Sequence, residues 1–217
     1  PKEDDHLIVH DEAALNLLES KVKKDLNENH YVSPLLWNSE KIVLPTNDSY
    51  KVAIRRFHIV EKEAIRQNRI DECNDQIKNL VEKGYATEMS QEEASKPHNK
   101  AYYNPIFFIY PPNKRTRMIW DLACKVNGKS LNDYLFSGPN LYNNLLEILF
   151  KMRQGRYLIK GDIGEMFHQI KVDDDDTNCL RFLFRFSPNE NIRIFKMNVL
   201  PFGAKCSPVI SQFVKNI

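Results

Sequence analysis

The hydrophobic period of the chain changes near residue 100, and that change restricts the fold more than any other feature of the sequence. Before it, apolar residues recur at three- and four-residue steps, as one buried face of a helix requires. Ala14, Leu15, Leu18, Val22 and Leu26 predict an amphipathic helix over 11–26, with Asp11 as its N-cap. Val52, Ile54, Phe57, Ile59, Val60, Ala64 and Ile65 predict a second over 48–69. Ile77, Leu80 and Val81 predict a third over 71–83, closed by Gly84 at C′. Residues 1–10 are polar and expected to be loose. Residues 31–45 read as extended chain broken by Pro34 and Pro45. Ser90-Gln91-Glu92-Glu93 has the order of a capping box.

Beyond that point, strand patterns enter. Residues 101–110 are aromatic and β-branched, Pro111-Pro112-Asn113 ends them, and 114–122 predict the returning strand. Leu141, Leu145, Ile148, Leu149 and Met152 predict one more helix, stopped by Gly155. Tyr157-Leu158-Ile159 reads as a short apolar strand running into Gly161-Asp162. Leu180, Phe182, Phe184 and Phe186 alternate with Arg181, Leu183 and Arg185, which predicts a half-buried strand, a turn over 187–191 and a return over 192–199. Ser207-Pro208 reads as the N-cap and first residue of a closing helix. Helices first, then a hairpin, then helix–strand–strand–strand–helix: the expected class is α+β with a largely antiparallel sheet and packed helices.

At 217 residues with 42% hydrophobic side chains, the chain can fill a core for one large domain or two small ones. No apolar run approaches the roughly 20 residues of a membrane span, so no membrane partner is expected. Basic and acidic residues nearly balance, 31 against 29. That balance neither demands nor excludes nucleic acid, because a local stripe outweighs a sum. Cys73, Cys124, Cys179 and Cys206 lie far apart and form no CxxC pair, so reduced thiols in an intracellular protein are expected. The chain starts at Pro1 and ends inside an apolar helical pattern; the expectation is a piece of a longer product.

Three stretches offer chemistry. In Leu158-Ile159-Lys160-Gly161-Asp162-Ile163-Gly164-Glu165-Met166-Phe167 an apolar segment delivers a carboxylate and then turns. A divalent metal such as Mg²⁺ suits that carboxylate; a simple turn cap suits it as well, and spacing leaves both open. Leu200-Pro201-Phe202-Gly203-Ala204 before Ser207-Pro208 is either a ligand-binding corner or an ordinary strand-to-helix connection. Lys114-Arg115-Thr116-Arg117 is either a phosphate clamp or a solvated turn. The acidic run 173–176 reads as a solvated hairpin loop, since adjacent carboxylates point apart and repel one another.

Taken in order, the chain resembles a reverse transcriptase, and more closely the polymerase of Pao/BEL-type long-terminal-repeat retrotransposons. The matching stretches are Thr116-Arg117-Met118-Ile119-Trp120-Asp121, Ser130-Leu131-Asn132-Asp133, Gly138-Pro139-Asn140-Leu141, Asp162-Ile163-Gly164-Glu165-Met166-Phe167-His168-Gln169-Ile170 and Pro201-Phe202-Gly203-Ala204. Glu82-Lys83-Gly84-Tyr85, Leu44-Pro45 and the segment from Tyr31 to Trp37 echo the part that precedes the fingers in that group.

The resemblance implies the fingers and incomplete palm of a right-hand polymerase: a helical lead-in over 1–90, fingers over 91–155 and the first part of the palm over 156–217. It implies Asp162 as catalytic carboxylate and metal ligand, with the Ile163 carbonyl as a supplementary ligand. Two Mg²⁺ ions about 4 Å apart are expected in the complete enzyme, with Mn²⁺ as the alternative. It assigns the incoming dNTP to Lys114, Arg117, Gly164, Glu165, Phe167, Phe202 and Gly203. Phe167 would exclude a 2′-hydroxyl, Arg117 would stack on the base and grip phosphate, and the amides around Gly164 and Glu165 would meet the triphosphate. Implied partners are an RNA or DNA template with primer, the dNTP and the rest of a polyprotein. The implied location is intracellular, a cytoplasmic particle with a nuclear phase. The aromatic-x-Asp-Asp sequence that such an enzyme also needs is not among these residues; Asp-Asp occurs only at 4–5 and within 173–176. Hence the expectation that this piece alone is inactive. The alternative is a non-catalytic remnant serving as a nucleic-acid-binding or structural module.

Overall fold

The computed structural model describes residues 2–26 and 30–217. Helix α1 (Lys2–Lys21) begins well before the predicted Asp11 cap, so residues 2–10 are helical where loose chain was expected. It buries Ala14 and Leu18, one turn apart. It ends before Leu26, which is exposed beyond strand β1 (Lys23–Asp25). Strand β2 (His30–Ser33) pairs antiparallel with β1.

Two helices follow at the predicted places. Helix α2 (Thr46–Arg66) buries Ser49, Ala53, Phe57 and Ala64, a stripe at steps of about one and two turns. The predicted stripe was too broad, since Ile59 and Ile65 face solvent. Helix α3 (Ile70–Glu82) buries Cys73, Ile77 and Leu80, and Gly84 follows at φ 71°, the left-handed cap its sequence position requires.

Strand β3 (Ala86–Met89), which periodicity did not reveal, precedes the short α4 (Gln91–Ser95). There Ser90 and Glu93 form both halves of the capping box. Strands β4 (Ile106–Ile109) and β5 (Arg117–Trp120) make the expected hairpin, shorter than predicted, with Ile106 opposite Trp120 and Ile109 opposite Arg117. A 3₁₀ turn over Leu131–Tyr134 follows, then α5 (Leu145–Met152).

The structure departs most from expectation between 153 and 165. Tyr157-Leu158-Ile159 is not a strand; the segment is irregular and all three side chains are exposed, Ile159 at 94%. An apolar run becomes a strand only where a neighbouring strand takes up its backbone groups, and no described strand runs beside it. The run 173–176 is the second correction. Strand β6 (Ile170–Val172) leads into a helical turn α6 (Asp174–Thr177), not a hairpin, and Asp176 is buried. Its carboxylate accepts from Leu35 N (2.8 Å) and Trp37 Nε1 (2.8 Å) and pairs with Lys100.

Strand β7 (Arg181–Phe184) is buried on both faces and not on alternate ones, because α2 covers the face that alternation left for solvent. Strand β8 (Arg193–Met197) returns, and α7 (Ser207–Asn216) closes the described chain. Its N-cap is Cys206, one residue before the predicted Ser207. In place of one largely antiparallel sheet there are three small ones: β1-β2-β6, β3-β8-β7 and the β4-β5 hairpin. The β2–β6 pair is parallel. Strands from the first ninety residues thus pair with strands from beyond 169, and one apolar cluster runs from Leu18 and Leu36 through Phe57, Ile77 and Trp120 to Phe182, Phe195 and Ile210. The four cysteines are free thiols, all buried except the half-buried Cys124. No helix among the described residues is long and apolar enough to cross a membrane.

Candidate functional site

Residues 200–206 dock against the β4–β5 hairpin through a glycine. Gly203 has φ 110°, and a Cβ placed there would stand 2.6 Å from the carbonyl oxygen of Trp120. Only a residue without a side chain allows this approach. Asn132, from the Ser-Leu-Asn-Asp stretch, fastens the same turn. Its Nδ2 donates to Gly203 O (2.9 Å) and its Oδ1 accepts from Lys205 N (2.9 Å). Ser130 and Asp133 in turn form a capping box around Asn132. The motifs that lie far apart in the chain are therefore hydrogen-bonded to one another.

The turn at 164–169 completes the arrangement. Glu165 sits in the left-handed region at φ 53°, uncommon for a residue with a side chain. Its carboxylate accepts from Lys83 Nζ (2.7 Å) and from the Tyr85 hydroxyl (3.0 Å). The bond from Lys83 holds the Glu165 carboxyl below its ordinary range, and Glu165 correspondingly raises Lys83. Burial, with the Glu165 bond second, pushes the Tyr85 phenol up. His168 N donates to Glu165 O (2.7 Å), and Gln169 Nε2 donates to Gly164 O (3.2 Å), which closes the turn. The Phe167 ring then lies 4.7 Å from Phe202.

A cavity of about 450 Å³ opens between α3, the hairpin and this turn. Arg117 and Glu165 bring charge to its wall, while Phe202, Trp120, Tyr85 and His168 supply rings. His168 is 8% exposed, and its Nε2 has no partner among the described residues. Burial depresses its pKa, with the Glu165 charge acting in the opposite direction. The indole N–H of Trp120 is likewise buried without a partner.

The structure brings Arg117, Glu165 and Phe202 onto this one cavity, with Phe167 against Phe202 and Gly203 against the strand that carries Arg117. It does not bring all the expected residues there. Lys114 is exposed at the hairpin tip, where its backbone carbonyl accepts from Arg69. Ile163 lines a different hollow, beside Met166 and Val214. Asp162 is exposed, and its side chain makes no hydrogen bond or ion pair with the described residues. An exposed carboxylate is an oxygen donor of the kind a hard divalent cation takes. It stands alone, because no group of three metal-ligating side chains occurs among the described residues. Sequence reasoning missed Asn132, Tyr85, Lys83 and His168 as parts of the site. Each sat inside a quoted motif, but Asn132, Tyr85 and Lys83 act through contacts across 71, 80 and 82 positions of chain, and His168 through rings from other elements, which no local pattern encodes.

No curated protein matches the chain. Residues 107–216 match the family described as reverse transcriptase (RNA-dependent DNA polymerase). That span is about half of the chain and contains Arg117, Asn132, Asp162, the 164–169 turn and Gly203. The chain belongs to the reverse transcriptase family.

Proposed function

We propose that the chain forms the nucleotide-binding part of an RNA-directed DNA polymerase of the Pao/BEL type, acting on an RNA or DNA template with primer inside the cell as part of a longer polyprotein. The observation that carries this is the docking of the Gly203 turn onto β5, which sets Arg117, Phe202 and Phe167 around one site. Arg117 is exposed at the rim, where its guanidinium can take a phosphate in two hydrogen bonds. The Gly164–Glu165 backbone supplies the turn whose amides face the triphosphate. A carboxylate at position 165 would repel that group, but Lys83 and Tyr85 hold it. The half-buried Phe167 ring is backed by Phe202, and on this reading its bulk would exclude a 2′-hydroxyl on the sugar.

Asp162, with the Ile163 carbonyl, would hold a divalent ion. Such ions, when bound, neutralise phosphate charge and lower the pKa of the primer hydroxyl. On this reading the metal site also needs a second carboxylate pair, which these 217 residues do not contain as an aromatic-x-Asp-Asp sequence. Replacing Asp162 by Asn in the full-length protein is expected to remove DNA synthesis while primer–template affinity stays within about threefold, since positioning contacts outlast loss of a metal ligand. Synthesis retained at the native rate would sink the assignment.

A further inference from the structure

Arg181 begins β7, and no carboxylate among the described residues pairs with it. It is 1% exposed. Its Nη1 donates to Ala94 O (3.1 Å) and to the Tyr103 hydroxyl (3.3 Å), and its Nη2 to Asn178 Oδ1 (2.6 Å). The guanidinium lies over the Tyr103 ring at 5.7 Å. Every one of these partners is uncharged, and Nε has no hydrogen-bond partner among the described residues. An arginine stays protonated at any physiological pH, and a buried charge without a counter-charge is among the costliest arrangements a fold can hold.

Arg181 is one of the residues around a cavity of about 500 Å³ that opens to solvent, and it lies just beneath the surface of that space. Not one Asp or Glu lines it. Thr46 and Asn47 of the first turn of α2 do, and that 21-residue helix starts at Pro45 with no side-chain cap. Its N-terminal end therefore adds partial positive charge to the same space. Lys96 stands at the cavity, joined loosely to Glu92 at 3.4 Å. The carboxylates nearby are committed elsewhere. Asp48 takes Lys51 and Asn127, and Asp175 takes Lys100 and His98. His98 is no ligand here, because its Nδ1 accepts from Lys100 N while its Nε2 faces Asp175.

We propose that this cavity binds a phosphate-type oxyanion, with Arg181 as its charge partner and the uncapped start of α2 as its second donor group. The site is separate from the nucleotide cavity and does not depend on the polymerase reading. Two sources share the chemistry: free phosphate and the phosphodiester of a nucleic-acid strand.

The test uses the 217-residue chain and its Asn47→Asp variant. Asn47 is exposed in the first helical turn, where aspartate favours the helix while placing negative charge at the cavity. Inorganic phosphate is expected to raise the melting midpoint of the native chain more than chloride at equal ionic strength. The variant should fold, and its affinity for phosphate should fall by about tenfold or more, since like charge in a confined site is strongly unfavourable. General salting effects act on both proteins alike, so the difference between them is the readout. A single-stranded DNA oligonucleotide that displaces phosphate in the native chain identifies the strand as the source; one that does not identifies free phosphate. An equal response of the two proteins, or no response of the native chain beyond chloride, overturns the proposal. Arg181→Gln, where circular dichroism shows it folded, must lose the response as well.

Discussion

A methyl group at Gly203 would have to occupy the space of the Trp120 carbonyl, and the positive φ there adds strain for any other residue. Gly203→Ala is therefore expected to cost about 3 kcal/mol in urea unfolding. In the full-length protein it should also raise KM for dNTP, because the turn carrying Phe202 must withdraw from the hairpin. On the proposed reading, Phe167 would act by volume alone. Phe167→Ala should raise ribonucleotide incorporation relative to deoxynucleotide by about tenfold or more, measured as a ratio of kcat/KM values; an unchanged ratio contradicts the steric role. His168 is a buried imidazole whose pKa lies below the ordinary value. The unfolded chain takes up that proton first, so this contribution to stability is complete above about pH 6.5 and declines as pH falls through the native-state value. The urea midpoint should drop from pH 7.5 to 5.5, and His168→Phe should reduce that drop.

Between elements, Asp176 joins the start of the 34–37 segment, Lys100 and α6. Its removal strands two N–H donors and leaves the Lys100 ammonium with Asp175 alone. Asp176→Ala should cost about 3 kcal/mol, whereas Asp174→Ala, on the exposed side of the same turn, should be nearly silent. The contrast shows what the amino-acid sequence discloses. Four consecutive aspartates look alike in a chain, and only the Trp37 and Leu35 groups arriving from 139 and 141 positions away single one out. Helices α2 and α3 were legible because each buries a face with its own period, and the β4–β5 hairpin because Pro111-Pro112-Asn113 marks its turn. Strands β3 and β6 were not, because at three or four residues they are too short to show a period. The 157–159 segment has strand composition without a described strand beside it, and composition alone could not reveal that. In the site, Arg117, Phe167, Phe202 and Gly203 were readable from motifs, while the Asn132 and Lys83–Tyr85 supports were not.

Across the whole molecule, apolar side chains crowd one region of the surface. Leu145, Leu146 and Phe150 of α5 are each about two-thirds exposed, and Tyr157, Leu158 and Ile159 follow. A soluble chain with such a patch tends to associate. Sedimentation velocity should show a mass that grows with concentration, and Leu146→Lys with Phe150→Lys should return the chain to monomer. The parallel β2–β6 pair bears on how the protein is made. Tyr31 meets Ile170, 139 positions further along the chain, only once that stretch has been synthesised, and closing so wide a loop is slow. During translation β1 and β2 emerge long before β6, so the edge of β2 stays without that mate until β6 has been made.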